Sequence, residues 1–160
     1  MKLIIINDPQ GDVQVDVCDD GSLSYVTPWF RVDGDGDPRN VFKDPCWQEQ
    51  TSLQHKGRPV NALTVPYAVI NPLVAKRIAG IVLGCEGLCS YKGKTVPFVV
   101  ADVGPRSKIG EGSVMLAKRL GIPHSPVSGG QDGEPVHWKI YPGRAAEIDG
   151  ETYTLKPLGT

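Results

Sequence analysis

Apolar residues in this chain come in short runs, and most of the runs alternate with polar positions. Lys2 to Ile6 is a short apolar strand, and Val13, Val15 and Val17 then alternate with polar residues, the period of a half-buried strand. Asp8-Pro9-Gln10-Gly11 between them predicts a turn, and Asp19-Asp20-Gly21 predicts another before a strand from Ser22 to Val26. A brief strand is expected at Thr51-Ser52-Leu53. A longer one runs from Val65 to Ile70, with Pro66 at its start or at a sheet edge. Ile81 to Gly84 begins a further strand. The Tyr91-Lys92-Gly93-Lys94 turn predicts a hairpin whose second arm is Thr95 to Asp102. That arm is apolar on both faces, with Val96, Phe98 and Val100 sharing one face with Asp102, so it reads as buried on both sides. Val136 to Tyr141 alternates again. Asp149-Gly150 marks a last hairpin between residues 145–148 and 151–155.

Helical spacing is scarce. Leu116, Ala117 and Leu120 fall on one face, Ser113 suits the N-cap, and Gly121 and Pro123 supply the stop, which predicts one well-defined helix over about 113–120. Residues 73–79 allow one or two further helical turns, and SPVSGGQDGEP reads as a mobile surface loop. The chain is therefore mainly β. Its 160 residues, 40% apolar, are enough for one domain with a real core, and 19 glycines with 14 prolines suit short strands joined by tight turns.

Charge and cysteines narrow the function. A net charge of −1 gives no basic field, so nucleic acid is not an expected partner. No run approaches the ~18 apolar residues that cross a membrane. The start, MKLIIIND, is too short for the apolar region of a signal peptide. The chain is thus expected to be cytosolic as made, to be a form lacking its leader, or to be exported by a route that needs none, with extracellular or periplasmic action expected. Cys18, Cys46, Cys85 and Cys89 allow three pairings as two bridges or can stay reduced. Cys85 and Cys89 lack a further ligand pair, and His55, His124 and His137 lack ligand spacing, so neither metal nor cofactor is expected.

Two acidic patterns carry candidate chemistry. In RVDGDGDPRN, Asp33, Asp35 and Asp37 alternate like a calcium loop, but Pro38 replaces the sharp-turn glycine and Asp44 holds the twelfth position. A solvated acidic turn and a row of carboxylates for a cationic ligand are the other readings. The second pattern is Asp102 and Glu111, at the two edges of the loop 103–112, with glycines on both sides of Glu111. Glycosidic cleavage needs two such carboxyl groups, one to protonate the leaving oxygen and one to activate water or attack. The same pair also fits structural duty: Asp102 can accept loop hydrogen bonds and Glu111 can favour a helix N-terminus.

The segment ADVGPRSKIGEGSVMLAKRLGI resembles the strand, loop and helix of double-psi β-barrels such as expansins and bacterial rare-lipoprotein-A domains. More closely, VDGDGD, NALTVPYAVINP, the D-x8-E arrangement with IGEGSV, and IYPG resemble chitosanases of glycoside hydrolase family 75, over residues 31 to 143. That resemblance implies a six-stranded double-psi β-barrel-like core with one helix and added hairpins, in a single domain over 1–160. It implies that Asp102 and Glu111 are the essential carboxylates of an inverting hydrolase. Glu111, beside glycines that let a bulky ligand approach and reachable from solvent, is the candidate acid, and Asp102 would then be the base. Asp33, Asp35, Asp37, Tyr67 and Arg106 would bind substrate, a polysaccharide such as chitosan, in a monomer. Trp29, Trp47, Trp138 and Tyr67 could stack on sugars, although core or surface packing is the plainer role for each. Peptidoglycan is the alternative substrate, for an enzyme delivered by a phage or a secretion system. A lytic transglycosylase needing Asp102 alone and a non-catalytic polysaccharide-binding barrel are the other readings.

Overall fold

The structure is a computed structural model that describes residues 1–158. The elements are β1 (Lys2–Asp8), β2 (Gly11–Val17), β3 (Leu23–Asp33), β4 (Gln54–His55), β5 (Arg58–Pro59), β6 (Tyr67–Ile70), α1 (Pro72–Ala75), β7 (Cys85–Tyr91), β8 (Lys94–Val103), β9 (Glu111–Ser113), α2 (Val114–Leu120), β10 (Gln131–Ala145), β11 (Glu147–Ile148) and β12 (Glu151–Thr152). No helix among them is long and apolar enough to cross a membrane.

Six strands close into a mixed barrel in the order β3-β10-β7-β8-β6-β9, with β9 pairing back onto β3. The β6–β8 and β3–β9 pairs are parallel, and the other four are antiparallel. The β1–β2 hairpin extends the sheet from β3. This is the mainly β architecture expected, a closed barrel with one seven-residue helix and added hairpins. Closure leaves no free edge around the barrel.

Alternation builds the core. Val13 and Val15 on β2, and Cys85, Gly87, Cys89 and Tyr91 on β7, point inward while their neighbours are more exposed. Trp138 of β10 is 1% exposed. It stacks on Tyr25 and Phe30, meets Phe98 edge-on, and donates its indole N–H to Thr27 Oγ1 at 3.0 Å, so a large aromatic is buried with its polar atom satisfied. Trp29 is buried too, its indole N–H donating to the Ile109 carbonyl at 2.8 Å.

Helix α2 has the predicted caps. Ser113 Oγ accepts from Leu116 N at 3.1 Å, and Gly121 turns left-handed at φ +78°. The same oxygen accepts from Tyr67 N at 3.0 Å and donates to the Val65 carbonyl at 2.7 Å, which uses its full hydrogen-bonding capacity. Tight turns at Lys92-Gly93 and Asp149-Gly150 join the two predicted hairpins, and Pro66 lies just before β6.

Several expectations are corrected. Residues 51–53 are not a strand, because Leu53 N donates to the Ala101 carbonyl, at the end of β8, as a lone contact. Residues 81–84 contribute only an isolated bridge, Leu83 to Lys156, and β7 starts at Cys85. Helix α1 supplies one helical turn of the one or two expected there, from Pro72 to Ala75. The expected mobile loop is held: Gly129 N and Gly130 N donate to Ser125 O and Pro123 O, both at 2.7 Å. From Gln131 the chain pairs with Phe30 and Trp29, because β3 is long enough to offer partners there. All four cysteines are free, with Cys85 and Cys89 buried.

Candidate active site

One end of the barrel collects carboxylates from three strands. β3 ends at Asp33 and runs into Asp35, β8 carries Asp102 near its end, and β9 begins at Glu111. Across the sheet, Asp102 registers with Val69, Val69 with Glu111, and Glu111 with Arg31. Residues in register share a face, so Asp102 and Glu111 look out on the same side with one strand between them.

A β-bulge creates that arrangement. Ala68 pairs with Val100 and Val69 with Asp102, which leaves Ala101 as an extra residue. Strict alternation had put Asp102 on the face of Val96, Phe98 and Val100. The bulge instead turns it to the face of Val99 and Tyr67, away from the core around Phe98. It also frees the Ala101 carbonyl, which accepts from Leu53 N at 2.9 Å. Ser52 is thereby laid beside Asp102, and its N and Oγ both donate to Asp102 Oδ1, at 3.1 and 2.9 Å.

Carboxylate oxygens of Asp33, Asp35 and Asp102 lie within 4.8 Å of one another, close enough to share a cation or protons. Glu111 belongs to the same field. Its carboxyl is pushed up to about 7, first by burial, then by the charges of Asp102 and Asp35, with Arg31 and Lys108 pulling partly back. Burial is also the main cause for Asp35, raised to about 7 with Asp102 adding to it and the Gln48 N–H opposing. Asp33 is raised well above the usual range by burial and then by Glu111, Asp102 and Asp35. The Tyr67 phenol is pushed up by burial and then by all four acids, which places it beside them; its OH donates to the Asp35 carbonyl at 2.9 Å.

Asp33, Asp35, Asp44 and Glu111 line a cavity of about 380 Å³, with Lys108 and Gln131 on its walls. Asp102 is not among its lining residues; its carboxylate lies within 4.8 Å of those of Asp33 and Asp35, which are. A larger cavity of about 450 Å³ lies by His55 and Tyr153, but its one acid, Glu151, is paired with His55 and Lys56. The smaller cavity, whose acids are unpaired among the described residues, is therefore the candidate site.

Of the residues singled out in the sequence, Asp102, Glu111, Asp33 and Asp35 converge with the Tyr67 phenol beside them, and Asp37 and Arg106 do not join them. Asp37 is 2% exposed, and its carboxylate accepts from Arg39 N and Val41 N at 3.0 and 2.9 Å, closing its own turn. The three aspartates therefore do not gather as the calcium-loop reading requires. Tyr67 is fully buried and cannot stack on a sugar. Arg106 is exposed on the loop, where its carbonyl accepts from Asn71, and it does not line the cavity; Lys108 takes that place. Gly110 and Gly112 serve packing rather than ligand approach. A Cβ at Gly112 would sit 2.7 Å from Leu116, and one at Gly110, where φ is +87°, 2.8 Å from the Trp29 indole nitrogen.

Sequence reasoning passed over Ser52 and the pairing of Asp8 with Arg31. Only Asp8 carried a signal, as the first residue of its turn. No protein-family model matches the chain, and no curated protein matches its sequence. The barrel itself is consistent with a double-psi β-barrel-like fold of the kind found among carbohydrate- or polymer-acting enzymes.

Proposed function

We propose that the protein hydrolyses β-1,4 glycosidic bonds of an amino-sugar polymer of the chitosan type, with inversion at the anomeric carbon. The observation that carries this reading is Glu111, a carboxyl raised to about 7 on a cavity wall, one strand away from Asp102. Near neutral pH such a group keeps a proton to give to the leaving oxygen, as a general acid must. Asp102 is the base that draws a proton from water, so that hydroxide character adds to the anomeric carbon opposite the departing sugar. One intervening strand sets the two backbones roughly 9–10 Å apart, from the spacing of neighbouring strands. That suits the wider carboxyl separation, roughly 6.5–9.5 Å, of inverting enzymes better than the ~5 Å of retaining ones.

The lining favours a cationic polymer. Asp33, Asp35, Asp44, Glu111 and Asp132 outnumber Lys108 and an Arg31 already paired with Asp8 on the lining. A bound ammonium group favours the ionised form of the acids beside it, so a cationic polymer would bind with release of protons from Asp33 and Asp35. A wall polysaccharide as substrate places the action outside the cell.

Incubation with chitosan and, separately, with peptidoglycan tests the reading, with product mass and anomer followed by NMR. Chitosan oligomers released first as the α-anomer are the expected result, and no cleavage of either polymer would sink it. Glu111→Gln and Asp102→Asn should each lower kcat by roughly 10²–10⁴-fold in folded protein. Activity should fall as pH rises through about 7, where Glu111 loses its proton. Release of 1,6-anhydro products from peptidoglycan, with Glu111→Gln active, would instead support a lytic transglycosylase.

A further inference from the structure

Ser52 meets Asp102 with more than a chance contact. Its backbone N–H and its hydroxyl both donate to one oxygen, Oδ1, while Val103 N donates to Ser52 Oγ at 3.2 Å. Accepting from Val103 leaves the hydroxyl proton to point at Asp102. The segment does not need that hydroxyl to stay in place. Leu53 N is held by the Ala101 carbonyl at 2.9 Å, Thr51 Oγ1 donates to the Leu53 carbonyl at 2.7 Å, and Val60 N donates to Thr51 Oγ1 at 2.9 Å. Leu53 is buried and Ser52 is exposed. Thus the residues on either side anchor the backbone, and the Ser52 hydroxyl is left to accept from Val103 N and donate to Asp102.

We propose that Ser52 is a positioning residue for Asp102: its two donors fix Oδ1 and leave Oδ2 as the oxygen that takes the proton from the attacking water. The inference rests on the hydrolase reading above. The bulge and Ser52 then act as one device, since the carbonyl that the bulge frees is the one that docks Leu53 and brings Ser52 alongside. A general base held by a second group in a single orientation is the arrangement that acid–base catalysis requires. Losing one donor to a charged oxygen loosens the orientation and weakens support for the ionised form.

The test compares wild type, Ser52→Ala and Ser52→Thr on chitosan oligomers across pH, with thermal unfolding alongside. Ser52→Ala should lower kcat roughly 10- to 100-fold with little change in KM, and should move the acidic limb of the rate profile to higher pH. Ser52→Thr, which keeps the hydroxyl, should restore most of the rate. Unchanged kcat and limb in Ser52→Ala would overturn the proposal. So would a rate loss that follows Tm and is not restored by Thr. A ¹³C carboxyl titration of Asp102 in the same proteins reads the contact without turnover, and an identical curve in Ser52→Ala would also overturn it. If wild type cleaves no polymer, the hydrolase reading fails while that titration still decides whether Ser52 holds Asp102.

Discussion

Two sets of buried carboxylates, Asp8 on the added β1–β2 hairpin and the acids at the end of the barrel, are treated in opposite ways by the fold. Asp8 has a side chain with no exposure, and burial alone would push its carboxyl up. Arg31 answers with two hydrogen bonds, at 2.5 and 2.8 Å, and Gln10 N and Ile109 N add one each at 3.0 Å. The carboxyl is held below the usual range as a result. Asp33, Asp35 and Glu111 are raised by burial in the same way, but the next largest charges they feel are mostly further acids. Arg31 stands in register with Glu111, yet its guanidinium is committed to Asp8. Burial does not separate the two sets. Compensation does, and its absence at the cavity leaves acids whose ionised forms the fold does not support, the pattern expected of the proposed site.

The largest blow to that contrast should come from Arg31→Met. It leaves Asp8 buried without its cation, and unfolding in urea should show a loss of about 3–5 kcal/mol. A better-preserved stability would mean that the two backbone N–H groups suffice for Asp8.

Next in size is the pH dependence of stability, where the two sets pull in opposite directions. Asp8, with a lowered carboxyl, contributes stability at neutral pH that is lost as pH falls below about 4, through its folded titration. The raised carboxyls hold protons in the folded state that the unfolded chain has released. Their contribution is full below about 4 and is lost as pH climbs to about 7. Melting temperature should therefore peak near pH 4–5 and decline toward neutrality, and the triple change Asp33→Asn, Asp35→Asn and Glu111→Gln should flatten the decline. A profile still rising from pH 5 to 8 would contradict the raised titrations.

The smallest expected effect is that of Lys108→Gln. Removing a cation that pulls Glu111 partly back should move the alkaline limb of activity upward by a fraction of a pH unit, with stability almost unchanged. An unmoved limb would make Lys108 irrelevant to Glu111.

Sequence pattern reached the local features and stopped at the long-range ones. Lys92-Gly93 and Asp149-Gly150 announce hairpins because a two-residue turn depends on its own residues, and Ser113 with Gly121 brackets a helix for the same reason. The face of Asp102 was misjudged because the bulge at Ala101 is set by the register against β6, a strand some thirty residues earlier that the local alternation does not report. DGDGD treats its three aspartates alike. Only the packed fold sends Asp33 and Asp35 to Asp102 and ties Asp37 into its own turn. Ser52 carried no mark at all, since any polar residue reads as exposed until the Ala101 carbonyl brings it home.

Ser113 has a consequence for how the chain reaches this structure. Of the three bonds at its hydroxyl, one spans three residues and the others span 46 and 48. The first turn of α2 is thus completed by a strand that arrives from far back in the chain, after a large loop has closed. An autonomous early helix is not what such wiring favours. Helical circular dichroism and barrel closure should instead appear in a single, slow kinetic phase, as non-local topologies do.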